Sequence, residues 1–210
     1  MTPTDFAAAL RESRASAIVR TSTKDAAAKA MDAAIKGGFR ICEFTLTVPN
    51  AFDLIKDFSA RKDLIIGAGT VLTTDDARHA VQAGAKFLVS PVVDPQVIAE
   101  AARLNVAIIP GCSTPTEMLQ AHRAGAPLQE LFPAPANGPQ WVTQTLAPLP
   151  FLRIVPTAGV TLENAPAYLR AGAWAVGFVS SLFDPADIAA GRFDAIEARA
   201  RQMLEAVRAT

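Results

Sequence analysis

Residues 81–91 read VQAGAKFLVSP, a helical pattern stopped at Gly84 and followed at once by an apolar run that ends in proline. Glycine just past a helix end takes the left-handed conformation that other residues adopt at a cost, so Ala-Gly-Ala marks a helix stop that feeds a strand. The same signature recurs in HRAGAPL at 122–128 and LRAGAWA at 169–175, and nearly so in IKGGFRI at 35–41. Gly38, Gly84, Gly125 and Gly172 therefore predict one repeated strand–helix unit.

Working outward from these stops, eight strand-sized runs appear, each with a helical pattern after it. They are AIVR (17–20), ICEFTLT (41–47), LIIGAGT (64–70), KFLVSP (86–91), VAIIPG (106–111), LQELFPA (128–134), RIVPTAG (153–159) and AVGFVSS (175–181). Eight parallel βα units predict an α/β fold, a closed (β/α)8 TIM barrel, in a single domain over residues 1–210. A short amphipathic helix from near Thr4 precedes it. The competing open, doubly wound sheet would carry a dinucleotide-type loop after its first strand, and IVRTSTK (18–24) has none.

Twenty basic residues balance twenty acidic ones. Such a chain has no global field to attract nucleic acid or an anionic membrane, so the expected partner is a small molecule. No apolar run approaches the roughly 20 residues that span a bilayer, and the charged N-terminal segment lacks the apolar centre of a signal peptide. The expected location is the cytoplasm. Cys42 and Cys112 have neither CxxC nor metal-ligand spacing and read as reduced, structural thiols. His79 and His122 fall in helical stretches and read as solvated positions. Trp141, Trp174 and Phe183 fit the core better than an interface. No pyridoxal, nicotinamide, haem or zinc signature is present.

Catalytic groups of such barrels sit at the C-terminal ends of strands, where alternation decides what faces the lumen. In ICEFTLT, Cys42, Phe44 and Leu46 share the face that suits the helix layer, which turns Glu43, Thr45 and Thr47 inward. The same parity turns Glu130, Phe132 and Thr157 inward and Leu131 outward, and puts Thr70 at the end of its strand. One inward threonine is ordinarily bonded to neighbouring backbone, but several on separate strands indicate a polar pocket. Glu130, inside an otherwise apolar run, needs a partner, a proton or a metal, because a bare buried carboxylate costs several kcal/mol.

EFTLT (43–47), GAGTV (67–71), VSP (89–91), IPG (109–111) followed by STPTE (113–117), LFPA (131–134) and PTAGV (156–160) occur in this order over nearly the whole chain. This series resembles the aldolases that cleave 2-keto-3-deoxy-6-phosphogluconate and 4-hydroxy-2-oxoglutarate. The resemblance implies a lyase of carbohydrate metabolism that releases pyruvate and an aldehyde, in a (β/α)8 barrel that assembles as a homotrimer. It implies an active-site lysine forming a Schiff base with the substrate ketone, and a proton-shuttling glutamate, whose place Glu43 takes. It also implies that Arg20 lies near the substrate carboxylate, which suits a guanidinium fork, and that Thr70, Pro91, Pro110, Phe132 and Thr157 line the pocket.

The lysine is missing: where the family writes it, this chain has Glu130. All six lysines lie in the first half of the chain, none at the C-terminal end of a strand, and Lys86 enters the fourth strand roughly 13 Å below the mouth. Thr47 stands where the family usually has arginine. The glycine-rich phosphate loops of the family are here Ala158-Gly159 and Val179-Ser180, a weakened phosphate site in which Gly159 and Ser180 remain as candidate contacts. Glu43 and Glu130 in one lumen could share a proton, hold Mg²⁺ or Mn²⁺, or pair with Arg20. The function expected is therefore a 2-oxo-acid lyase with altered chemistry at Glu43 and Glu130. The alternatives are a metal-dependent carboxylate-pair enzyme and a barrel that binds a keto acid or sugar acid without turning it over.

Overall fold

A computed structural model describes all 210 residues. Eight strands, β1 (Ala15–Val19), β2 (Ile41–Thr45), β3 (Ile65–Gly69), β4 (Phe87–Ser90), β5 (Ala107–Cys112), β6 (Gln129–Leu131), β7 (Ile154–Pro156) and β8 (Val176–Phe178), pair in parallel in the order β7-β6-β5-β4-β3-β2-β1-β8. The remaining seam is drawn together by the Trp174 N–H, which donates to the Ile154 carbonyl at 2.7 Å. A Cβ on Gly177 would overlap the Thr157 and Ile18 side chains, so glycine lets β8 approach them across that seam. The fold is a (β/α)8 barrel, as the strand–helix rhythm predicts.

The helices are α1 (Pro3–Ser13), α2 (Lys24–Lys36), α3 (Ala51–Ser59), α4 (Thr74–Gln82), α5 (Pro95–Arg103), α6 (Pro115–Arg123), α7 (Gly138–Leu146), α8 (Ala165–Arg170), α9 (Pro185–Ala189) and α10 (Phe193–Arg208). Thr73 and Thr114 open α4 and α6 through capping boxes with Asp76 and Glu117. Each side chain there satisfies amide groups that a helix start leaves orphaned. The four stop glycines all have positive φ: 116° at Gly38, 111° at Gly84, 98° at Gly125 and 101° at Gly172. The repeat in the sequence is a repeat in backbone geometry.

Two apolar cores follow from the alternation along the strands. Cys42, Phe44, Leu88, Ile108 and Cys112 point outward into the layer between sheet and helices. Ile41, Phe87, Val89, Ile109 and Val155 point into the lower lumen, where α1 plugs the barrel with Phe6, Ala7 and Leu10. Phe6 stacks on Phe87 with ring centroids 4.5 Å apart. The lumen is packed from below and polar only towards the C-terminal ends of the strands.

Several boundaries differ from expectation. The first helix begins at Pro3, because Thr2 caps it by accepting from the Asp5 N–H. Strands β6, β7 and β8 are three residues long, and β2 ends at Thr45, so Thr47 is exposed in a turn rather than inward. Thr45 is buried with its hydroxyl donating to the Val19 carbonyl at 3.3 Å, a structural role. No helix follows β8 directly; a turn precedes the short α9. Phe183 belongs to the outer core, against which Trp141 packs half-buried, while Trp174 packs half-buried against the lower-lumen core. Both cysteines are free and buried, and burial pushes each thiol up to about 12. His79 and His122 are exposed, beside Phe52 and Phe151.

Candidate active site

The polar end of the lumen is a cavity of about 90 Å³ ringed by residues from seven strand ends. β1 contributes Ile18 and, just past its end, Arg20; β2 contributes Glu43; Thr70 and Pro91 follow β3 and β4. Glu130 and Phe132 come from β6 and its exit, Thr157 and Ala158 from the turn after β7, and Val179 from the turn after β8. The shared parity of Glu43 and Glu130 thus becomes a shared cavity.

Both carboxyl groups are withdrawn from water: Glu43 is 3% exposed and Glu130 6%. Their floor is the apolar plug, with Phe6, Leu10, Phe87 and Ile109 beneath them. Glu130 Oε1 accepts a hydrogen bond from Thr157 Oγ1 at 2.7 Å, while Glu43 forms neither an ion pair nor a hydrogen bond with any protein group. A Cβ on Gly69 would overlap the Glu43 carboxyl, so the glycine of GAGTV makes the space in which Glu43 stands. Thr70 next to it holds a left-handed backbone with φ 61°, strained for a β-branched residue.

Burial pushes the Glu43 carboxyl well above its ordinary value, and the charge of Glu130 pushes it further, against the opposing pull of Arg20. Burial likewise raises Glu130, to about 7, against the Thr157 hydrogen bond and Arg20. Two buried carboxyls lining one cavity favour keeping one proton between them over ionising together, because ionising both places two like charges in low dielectric. Glu43 is the natural holder of that proton, and Glu130, with Thr157 donating to it, the natural carboxylate.

Arg20 also lines a second hollow, an annex of about 440 Å³ between the β1–α2 loop and α9. Its walls are the hydroxyl-bearing Thr21, Ser22 and Thr23 on one side, and Phe183, Pro185 and Ile188 on the other. Arg20 lines both spaces, forms no ion pair with the protein, and is the single cationic side chain in either. The annex was not foreseen from the sequence. Its two walls lie at opposite ends of the chain, and only barrel closure brings them together.

The other sequence candidates divide. Thr70, Pro91, Phe132 and Thr157 line the cavity as expected. Pro110 does not: it is buried in β5 with the outward parity of Ile108 and Cys112. Gly159 and Ser180 are exposed and lie outside the cavity wall, which their neighbours Ala158 and Val179 complete with apolar side chains. No lysine lines the cavity; Lys24, the nearest in sequence to Arg20, pairs with Asp53 at 3.2 Å. For a divalent cation the protein offers two carboxylates and no third His, Cys, Asp or Glu, with a guanidinium in the same space. That set does not make a self-sufficient cage for Mg²⁺ or Mn²⁺, which would have to draw its other oxygens from substrate and water.

Residues 6–199 match the family model for KDPG and KHG aldolase. The chain is 38% identical over 172 residues to a protein of Rhizobium meliloti (strain 1021) described as a probable 2-dehydro-3-deoxy-6-phosphogalactonate aldolase, covering 80% of this chain and 81% of that one. It is 37% identical over 186 residues to the 2-dehydro-3-deoxy-phosphogluconate aldolase of Treponema pallidum (strain Nichols), covering 83% and 84%. Among solved structures it resembles KDPG aldolase from Legionella pneumophila, with pyruvate captured as a covalent carbinolamine, at a TM-score of 0.84 and 25% identity over 94% and 97% of the two chains.

Proposed function

Since the chain belongs to the KDPG and KHG aldolase family, we propose that it cleaves a 2-oxo acid to pyruvate and an aldehyde with a carboxylic acid in the place of the amine. The observation that carries this reading is the pair of buried carboxyls, one without a partner, sharing a cavity with an unpaired arginine. Arg20 holds the substrate carboxylate. Glu43, protonated, donates to the C2 ketone oxygen, and Glu130, ionised, accepts the proton of the C4 hydroxyl. The C3–C4 bond then breaks: its electrons form the C2–C3 double bond of an enol, the ketone oxygen takes the Glu43 proton, and C4 leaves as the aldehyde. The pair again holds one proton, which protonates C3, while the enol proton returns to the carboxylate. A neutral carboxylic acid kept protonated by its surroundings is a competent electrophile for enolisation.

The charges favour a substrate without phosphate. Once Arg20 has taken the 2-oxo carboxylate, neither cavity nor annex offers a second cation, and the annex walls suit an uncharged, hydroxylated tail. Homotrimeric assembly is part of the same proposal; it is supported by the exposed Leu72 and Val92 on the neighbouring loops after β3 and β4.

The lack of a lysine also supports a second reading, in which the pocket binds such acids without cleaving them. One experiment separates the two. A panel of 2-keto-3-deoxy and 4-hydroxy-2-oxo acids, with and without phosphate, is followed for pyruvate release with EDTA and with Mg²⁺ or Mn²⁺, alongside calorimetric binding. Release in EDTA that is lost in Glu43→Gln supports acid–base cleavage. Binding without release supports the second reading, and release only with metal replaces the proton-sharing pair by a metal-bridged one.

A further inference from the structure

The fourteen arginines divide into seven that ion-pair with carboxylates and seven that do not. Four of the unpaired ones, Arg11, Arg14, Arg153 and Arg170, collect around Trp174 at the end of the barrel opposite the carboxyl pair. There the Trp174 N–H meets the start of β7, and the Arg14 carbonyl accepts from Val176 at the start of β8. Arg11, Arg14 and Arg170 line a hollow of about 160 Å³ with Trp174 and Thr210; no Asp or Glu side chain faces it, and the one anionic group in its lining, the α-carboxylate of Thr210, forms no ion pair with the arginines.

Trp174, Arg11 and Arg14 are held in place. The Trp174 indole N–H donates to the Ala7 carbonyl at 2.8 Å, and the Arg11 guanidinium lies over the ring at 4.5 Å from its centroid. Arg153 lies over the same ring, its guanidinium 4.8 Å from the centroid. Arg14 caps α1 in a left-handed conformation, φ 60°, and its guanidinium reaches the Val207 carbonyl. Three guanidinium groups brought to one hollow repel one another, and an anion there relieves the repulsion while satisfying planar donors that match its oxygens.

We propose that this hollow binds a dianionic phosphoryl group, separately from the carboxyl-lined cavity at the other pole. The test uses Trp174 as its own reporter, in Trp141→Phe, which leaves one indole. Phosphate and, in parallel, glycerol 3-phosphate are titrated at ionic strength held constant with chloride. The expected result is a saturable change in emission that Arg170→Ala weakens about tenfold or more and Arg123→Ala, away from the hollow, leaves unchanged. Tighter binding of the ester identifies an organic phosphate as the ligand, and equal binding a site that reads the phosphoryl group alone. No saturable response to either, or identical titration by Arg170→Ala, overturns the proposal. Phosphorus NMR line broadening on the unsubstituted protein gives the same decision without the Trp141 change.

Discussion

Glu130→Gln should make the fold more stable in alkali while leaving its acid stability nearly unchanged. Glutamine keeps an oxygen to accept from Thr157 and has nearly the same shape, but it cannot ionise. Glu130 binds its proton more tightly in the fold, near 7, than in the unfolded chain, near 4.5. Between those values the folded state therefore carries more protons than the unfolded one, and stability falls as pH rises. The loss begins above the unfolded value and is complete once pH has passed the folded one. At about 1.4 kcal/mol for each factor of ten in acidity, ionising Glu130 costs the fold about 3 kcal/mol. Denaturant unfolding of both proteins at about pH 5 and about pH 8.5 measures this directly, with the two curves together in acid and parting by about that amount in alkali. Parallel pH profiles would show that burial does not hold the Glu130 carboxyl above its ordinary value.

Three further outcomes follow from the same geometry. Glu130→Lys places an amine where the family has one; borohydride should then trap a pyruvate adduct detectable by mass spectrometry, which the unsubstituted protein should not give. Arg20→Ala should raise KM for 2-oxo acids by about tenfold to a hundredfold, the worth of a charge-assisted contact, with a smaller effect on kcat. Gly69→Ala should drive the Glu43 carboxyl from its place and lower kcat by about a hundredfold, with the circular dichroism spectrum unchanged.

The barrel was legible because its signals are local and repeated: a glycine stop is read within five residues, and alternation separates Cys42 and Phe44 from Glu43 without knowledge of the partner strand. The site was legible where it sits on a strand, as with Glu43 and Glu130. It failed just beyond strand ends. β2 stops two residues before Thr47, and Gly159 and Ser180 lie in turns whose course depends on what packs beneath them. The annex walls and the arginines around Trp174 come from segments more than a hundred residues apart, and nothing in either segment names the other.

The helix that seals the bottom of the lumen has a consequence for the acids above it. Phe6 and Leu10 form part of the floor under Glu43 and Glu130, so the first dozen residues help to set how tightly the pair keeps its proton. Detaching that segment would admit water from below, and both acids would relax towards the behaviour of ordinary surface carboxylates. The chemistry at the mouth of the barrel is governed, in part, by the cork at its base.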